Sequence, residues 1–370
     1  MRLRPILLAA GGAGAAVAFL LEPRAATQAA SRTWPPFVLV AGLLTIGVVA
    51  YEDGTFGAAG GLLDRLPGGE TALFLTAMAL VAVTTALLNL DTSVAFLTPV
   101  LIHVTRRRGS REEPFLYGCV FMSNAASLLL PGSNLTNLLV LANEHVSGSL
   151  FPARMAVPWL AAVSVTAAVV GTAFRHGRAP ADPDPAPLSP PNALSMAGIV
   201  LAIVLILALR DAALPVVGVG ILVATLRLGQ GRLSLRHLRD GVDAASLLGV
   251  FLIATALGTL AQVWSYPAAL MERAGSVSTA AIGALAAVLI NNLPAAVLLG
   301  SRMPAHPRSL LFGLNIGPNL AMTGSLSALI WWQAARSAGA RPSARRYTAV
   351  GAVLVPLTLL AVLASRHITA

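Results

Sequence analysis

Long apolar stretches separated by short polar or arginine-rich segments run along the chain. Most are about 20 residues long, the length that an α-helix needs to cross a bilayer core of roughly 30 Å. The alternation of polar and apolar residues expected of a transmembrane barrel is absent. The pattern therefore predicts an all-α polytopic membrane protein. The predicted helical segments are 5–21, 36–51, 71–104, 114–145, 155–173, 194–209, 213–226, 247–264, 277–301, 309–335 and 346–365, with amphipathic stretches at 52–68 and Leu233–Val242.

Polar islands interrupt two of these segments in a way that indicates hairpins. Segment 71–104 is too long for one helix and is broken at Asn89–Ser93, and segment 277–301 is broken at Asn291–Pro294. Irregular backbone at membrane depth is tolerated only where protein or a water-filled cavity satisfies its polar groups. We therefore predict a re-entrant hairpin in each segment.

Two further segments are predicted to be interrupted transmembrane helices. Segment 114–145 is interrupted at Pro131–Asn137, and segment 309–335 contains Gly317-Pro318-Asn319 followed by Thr323-Gly324-Ser325-Leu326-Ser327. Proline, glycine and small polar residues at these points favour a break in the helix over a continuous span.

The two sets of islands indicate an internal duplication. Asn124 aligns with Asn315, and Asn89-Leu90 aligns with Asn292-Leu293. Each half thus has a hairpin followed by an interrupted helix, which predicts two repeats of inverted topology. The predicted domains are an N-terminal transmembrane helix and loop at 1–34, a first repeat at 35–174, a Pro-rich linker at 175–193 and a second repeat at 194–370.

Composition supports a membrane location. Hydrophobic residues make up 56% of the chain and charged residues 11%, which is too apolar for a soluble protein of this length. The net charge of +10 comes from arginines between the apolar spans, so it indicates orientation and contact with the lipid bilayer, not nucleic-acid binding. With the N-terminus in the cytoplasm, 17 arginines lie on the inside and 8 outside. We expect a multi-pass inner (cytoplasmic) membrane protein; residues 5–21 are either its first helix or a cleaved signal peptide.

Clusters of Asn, Ser and Thr in the islands are the candidate substrate site, because their side chains both donate and accept hydrogen bonds and can replace the hydration of a small solute. Isolated Ser, Thr or Asn residues are instead expected to join helices. The residues predicted to bind substrate are Asn89, Thr92, Ser133, Asn134, Thr136, Asn137, Asn291, Asn292, Asn319, Thr323 and Ser325.

Asp91 is the only carboxylate well inside a predicted span. An intramembrane acid is costly, which favours a role in proton or cation coupling; a helix cap at the hairpin tip is compatible with that role. The single cysteine, Cys119, excludes an internal disulfide and a site of several thiolates. No phosphate-binding loop, metal-ligand cluster or catalytic triad is present, so we expect neither enzymatic activity nor a metal or cofactor.

At these islands the chain resembles the ArsB-type arsenite efflux permeases. These belong to the ion transporter superfamily, together with the NhaD-type sodium/proton antiporters and the divalent-anion/sodium symporters. Asp91-Thr92 stands where Asp-Gly is common in the family. The residues that carry the resemblance are Asn89-Leu-Asp91, Leu97-Thr98-Pro99, Ala125-Ala126-Ser127-Leu128, Ser133–Asn137, Asn291–Pro294, Leu314–Asn319 and Gly324–Trp331.

The resemblance implies a mobile transport domain beside a scaffold and an elevator-like alternating-access motion. It implies proton-coupled export of arsenite or antimonite, with Asp91 as the coupling residue, and in some members a soluble ATPase partner. A homodimer is left open.

Two alternatives remain from the sequence. One is a sodium-coupled carrier of small (di)carboxylates or a sodium/proton antiporter, which sodium dependence of transport would distinguish. The other is a non-transporting membrane scaffold that recruits cytoplasmic partners, which a silent transport assay would favour.

Overall fold

The structure, a computed structural model, describes residues 3–65, 67–142, 150–174, 192–209 and 211–365. These residues fold into helices and connecting turns. The α-helices, numbered in chain order, are α1 (Leu3–Leu21), α2 (Pro23–Glu52), α3 (Thr55–Arg65), α4 (Glu70–Leu87), α5 (Leu90–Arg107), α6 (Glu113–Ala126), α7 (Leu135–Leu141), α8 (Leu150–Ala173), α9 (Ala193–Ala208), α10 (Ala213–Gly229), α11 (Leu235–Val242), α12 (Ala244–Val263), α13 (Tyr266–Arg273), α14 (Ser276–Ile290), α15 (Asn292–Leu299), α16 (Pro307–Ile316), α17 (Leu326–Ser337) and α18 (Ala344–Ser365).

Several helices have the length and hydrophobicity of membrane spans. Six stretches of the described residues meet both criteria, and α9, α10 and α14 are shorter apolar helices. The prediction of an all-helical, polytopic membrane protein is therefore confirmed. The six stretches are Arg4–Leu21, Pro23–Glu52, Glu70–Leu87, Leu150–Ala173, Leu235–Val263 and Ala344–Ser365.

The helices can be divided into two bodies, which also pack against each other through α2 and α12. In the scaffold, defined here as α1, α2 and α9–α12, helix α2 packs against α10 and α12, and α1 packs against α12. In the hairpin body, defined as α4–α8 and α14–α18, the pair α4–α5 packs against α6 and the pair α14–α15 against α16. Helix α5 also packs against α17, α15 against α7, and α8 against α18.

Both predicted hairpin breaks are present but shorter than expected. Helices α4 and α5 are separated only by Leu88 and Asn89, so Asp91, which was placed in the break, lies in the first turn of α5. Helices α14 and α15 are separated by Asn291 alone. The φ of Asn291 is 75°, a conformation that asparagine adopts more readily than most residues.

Both interrupted helices are also confirmed. Between α6 and α7 the chain forms a 3₁₀ turn at Pro131–Ser133, and between α16 and α17 it forms 3₁₀ turns at Gly317–Leu320 and Met322–Gly324. The second interruption packs tightly on α18: a Cβ at Gly351 would lie 2.0 Å from the carbonyl oxygen of Asn319. Only glycine allows the two backbones this approach.

Two elements differ from the sequence prediction. The predicted helix 36–51 begins earlier, since α2 runs from Pro23 through Pro35 and Pro36. Membrane helices tolerate internal proline, so Pro35 and Pro36 do not mark the start of this helix. Helix α13 lies between the predicted segments 247–264 and 277–301, where no helix was predicted. The end of the predicted segment 114–145, and residues 175–191 of the predicted linker, lie outside the described residues.

Candidate functional site

Helices α5, α7, α15 and α17 each begin with a polar side chain that caps the helix. In every case the side-chain oxygen accepts a hydrogen bond from a backbone N–H of the first turn, which satisfies a donor that has no partner within the helix. The four bonds are Thr92 N to Asn89 Oδ1 (2.7 Å), Thr136 N to Asn134 Oδ1 (3.0 Å), Leu293 N to Asn291 Oδ1 (3.3 Å) and Ala328 N to Ser325 Oγ (3.3 Å).

The starts of these four helices border one cavity of about 590 Å³ between the hairpin body and the scaffold. Its scaffold wall comes from α1, α2, α11 and α12 and is largely apolar apart from Arg4, Asp240, Asp243 and Ser246. Its hairpin-body wall carries most of the polar groups. Those polar residues are Asp91, Thr92, Asn134, Asn292, Ser327 and Gln333.

Asp91 is held across the two halves of the chain. The Ser327 hydroxyl donates a hydrogen bond to Asp91 Oδ1 over 2.5 Å, which connects α5 to α17. Ser327 was not among the predicted site residues. A signal for it was available, because the alignment of Asn124 with Asn315 places Ser327 over Thr136, which was predicted.

A buried asparagine network lies beside the cavity and joins the two interrupted helices. Asn315 is its centre: Oδ1 accepts from Ser127 Oγ (2.7 Å) and Asn134 Nδ2 (2.6 Å), and Nδ2 donates to Asn137 Oδ1 (2.8 Å). All four of these residues are buried. The network holds α16 against the break between α6 and α7.

A second bond of this kind connects Asn124 Nδ2 to Asn319 Oδ1 over 2.8 Å. Sequence reasoning used Asn124 and Asn315 to align the halves but assigned them no role. Asn124 bonds to Asn319 and Asn315 bonds to Asn137, so both contacts join the two halves. No spacing along the chain indicates such long-range contacts.

The predicted binding residues divide into two groups. Asp91, Thr92, Asn134 and Asn292 line the cavity. The others lie outside the cavity lining. Asn89 and Ser325 are buried caps, Thr136 is buried, and Ser133, Asn137 and Asn319 form hydrogen bonds in the protein interior. Asn291 donates a hydrogen bond over 3.0 Å to the carbonyl of Thr323, and Thr323 is exposed.

The charge of the cavity wall is mixed. The helix N-termini of α5, α15 and α17 contribute partial positive charge. Formal charge comes from Asp91, Asp240 and Asp243 against Arg4, the one basic residue of the described lining. Arg4 Nε lies 3.0 Å from Asp243 Oδ2, so this arginine already has an acidic partner.

Two interrupted helices and two helix pairs whose ends meet at a polar cavity are the arrangement of a secondary transporter. The chain belongs to the citrate transporter family, CitMHS, whose family model matches residues 1–332. The protein is thus a multi-pass membrane transporter and not an enzyme. The ArsB-type identity within the ion transporter superfamily stays a prediction.

A solved structure supports the fold. The chain is similar to the crystal structure of the Alcanivorax borkumensis YdaH transporter, described as having an unusual topology, with a TM-score of 0.60 and 13% sequence identity. The match covers 93% of this chain and 87% of that chain. At this identity the likeness concerns the fold alone.

Proposed function

We propose that this protein carries a small carboxylate across the cytoplasmic membrane by secondary transport, with Asp91 as the coupling residue. The observation that carries the proposal is the cavity, where capped helix N-termini and Asp91 meet at the boundary of two helical bodies. Citrate, the substrate in the family's description, is the first carboxylate to test.

The packing of the hairpin body supports two inverted repeats. Helix α5 follows the first hairpin tip and packs against α17, the second half of the other interrupted helix. Helix α15 follows the second tip and packs against α7 in the same way. The last helices of the halves, α8 and α18, pack on each other. A two-fold operation that exchanges the halves accounts for all three pairings.

The shape of the cavity supports alternating access. Helices α5 and α17 line it over more than one turn, through Phe96 and Gln333, whereas α15 and α7 contribute only their first residues. The cavity therefore opens toward the arginine-rich ends of α5 and α17, which the charge distribution assigns to the cytoplasm together with the N-terminus. Toward the other ends of α7 and α15, a space of only about 50 Å³ remains beside α2 and α12.

An elevator-like shift of the hairpin body past the scaffold would close the large cavity and widen the small space on the opposite side. The small space is lined mostly by small and apolar residues such as Ala29, Gly258 and Val297, and Arg32 is its charged residue. Among the described residues no ion pair joins the two bodies at this contact, so it can separate without breaking one.

The acidic lining bears on coupling. Three carboxylates face one arginine that is already paired, so a carboxylate substrate needs an accompanying proton or cation to enter without net repulsion. Asp91 lies deepest among these carboxylates, at the start of α5 where the helix N-termini converge, and is the residue we expect to bind that proton or cation.

Export of arsenite or antimonite is the second candidate, supported by the same lining. Undissociated arsenous acid is a neutral triol, so it meets no repulsion from Asp91 and can bond to the Ser327 hydroxyl and the amide of Asn292. A soluble ATPase partner and a homodimer stay predictions from the resemblance.

Transport by purified protein in liposomes decides between the candidates. Citrate and arsenite uptake are measured with no gradient, with a proton gradient and with a sodium gradient. We expect gradient-driven citrate accumulation that Asn292→Ala weakens, while the control Thr323→Ala, outside the cavity, transports normally. Accumulation of arsenite alone would replace the carboxylate proposal with the exporter, and transport of neither solute by folded protein would refute both.

A further inference from the structure

The cytoplasm-facing mouth of the transport cavity has an arginine-lined hollow of its own. Its volume is about 570 Å³, and its walls come from Arg4 on α1 and from Leu235, Arg236, Arg239 and Asp240 on α11. Arg4 and Asp240 also line the transport cavity, so the two spaces adjoin. The arginines of the hollow therefore lie beside the cavity on this side.

The positive charge of this mouth is only partly neutralised. Arg4 pairs with Asp243, and Arg236 approaches Asp240 at 3.9 Å with both side chains largely exposed. Among the described residues, no acidic side chain forms an ion pair with Arg239. Three arginines therefore face two carboxylates, which leaves an excess of one positive charge.

Asp243 cannot turn toward Arg239 without breaking hydrogen bonds to Ser246. It lies between α11 and α12 with φ of 43°, where its carboxylate accepts from the backbone N–H of Ser246 (3.3 Å) and from its hydroxyl (2.7 Å). These bonds cap α12 and keep Asp243 beside Arg4.

Helix α11 is fixed in position at the mouth. Ser234 caps its start by accepting from His237 N over 3.1 Å, and the ring of His237 lies 3.0 Å from a Glu52 carboxylate oxygen on α2. Because the helix is tied to the scaffold at this point, Arg236 and Arg239 stay at the mouth while the hairpin body moves.

We propose that this mouth is an anion-binding vestibule that captures a small carboxylate before it enters the transport cavity. Guanidinium groups bind carboxylates through paired, charge-assisted hydrogen bonds, and a concave positive surface raises the local concentration of anions. The identity of the substrate rests on the proposed function, but the preference for anions does not. An anionic lipid headgroup offers the same oxyanion chemistry and must be distinguished.

A cysteine reporter tests the vestibule without any transport assay. Gln333 is exposed in the cavity, and the native Cys119 is buried, so Gln333→Cys provides an accessible thiol. Its reaction rates with an anionic and a cationic thiosulfonate are compared in phosphatidylcholine liposomes. Each rate is divided by the rate of the same reagent with a free thiol. At low ionic strength we expect this ratio to be several-fold higher for the anionic reagent than for the cationic one, which is the gain attributed to the vestibule. High salt should remove the gain because it screens the field.

Two double variants show which arginines cause the faster reaction of the anionic reagent. Arg236→Gln with Arg239→Gln is expected to remove the gain, whereas Arg341→Gln with Arg345→Gln removes the same charge from another exposed site and should keep it. An unchanged rate ratio in the first pair would overturn the vestibule. A lower ratio on adding phosphatidylglycerol, with no competition by citrate, would assign the arginines to lipid and overturn carboxylate capture.

Transport then separates the vestibule from the proposed function. If citrate is carried, Arg236→Gln with Arg239→Gln should raise its KM several-fold and leave kcat and arsenite transport unchanged. A protein that carries no citrate but shows the labelling preference would refute the proposed substrate and retain the anion-selective mouth.

Discussion

The hydroxyl of Ser327 donates a 2.5 Å hydrogen bond to Asp91 Oδ1. The two residues are 236 positions apart and lie in the first turns of α17 and α5. One carboxylate thereby connects a hairpin tip of the first half with an interrupted helix of the second half. A change of charge on Asp91 acts on both halves at the point where they border the cavity.

Asp91→Asn is expected to uncouple transport. The amide oxygen can still accept from Ser327, so the contact between α5 and α17 is retained, but the side chain has no negative charge and can no longer take up a proton. We expect substrate exchange across the membrane at equal concentrations to continue and gradient-driven accumulation to fall to background. Counterflow and accumulation are measured on the same liposomes.

Asp240→Asn is the matched control for this substitution, since Asp240 lines the same cavity at its mouth. It should still accumulate substrate against the gradient. Normal accumulation by the Asp91→Asn protein would remove Asp91 from the mechanism.

Asn315→Ala is expected to destabilise the protein. It removes one hydrogen-bond partner each from Ser127, Asn134 and Asn137, all buried, and a buried group left unpaired costs about 1–3 kcal/mol. The thermal unfolding temperature in detergent should fall clearly. Thr323→Ala, at an exposed position, should change stability by only about 0.5 kcal/mol or less. If the Asn315→Ala protein unfolds at the same temperature as the unsubstituted protein, the asparagine network does not hold the interrupted helices together.

Gly47→Ala should disturb the contact between α2 and α5. A Cβ at Gly47 would lie 2.8 Å from Thr92 Cγ2, and such overpacking costs about 1–3 kcal/mol. Thr92→Ala removes that methyl group, so the double variant should unfold at a higher temperature than Gly47→Ala alone. Gly218→Ala on α10, with nothing within 4 Å of the added atom, is the control. Additive effects of the two substitutions would contradict the contact.

A cross-link between α12 and α15 should arrest transport. A Cβ at Gly258 would lie 3.7 Å from Val297 Cγ1, close enough for Gly258→Cys with Val297→Cys to form a disulfide after small shifts. Because this bond joins the scaffold to the hairpin body, oxidation should abolish uptake and a reductant should restore it. Gel mobility after protease cleavage between the sites reports the bond.

Ala29→Cys with Gly258→Cys is the corresponding control. Both residues belong to the scaffold, and a Cβ at Gly258 would lie 3.1 Å from Ala29 Cβ. Oxidation of this pair should leave transport intact. Uptake that persists with the Gly258 and Val297 positions fully cross-linked would refute relative motion of the two bodies at this contact.

The helix breaks could be predicted because their causes are local. Asn89, Asn134, Asn291 and Ser325 precede runs of helix-forming residues and cap them, and each capping bond spans only two or three residues. The same local origin explains the error at Asp91: the cap on Asn89 starts the helix earlier than the polar island ends.

The role of each polar residue could not be predicted. Asn134 and Asn137 belong to one island and both bond to Asn315, yet of the two only Asn134 also lines the cavity. Which of them faces the cavity depends on where α16 of the other half packs, and no pattern within the island contains that information.

The sequence by itself determined the membrane class, the paired hairpins and the interrupted helices, because hydrophobic length and capping act over one helix at a time. Only the tertiary structure decided that Asp91 meets Ser327, that the asparagines pair across the halves, and that Arg4 and α11 form the mouth of the cavity. These contacts join residues far apart in the chain, and the packing of whole helices fixes which side chains come within hydrogen-bonding distance.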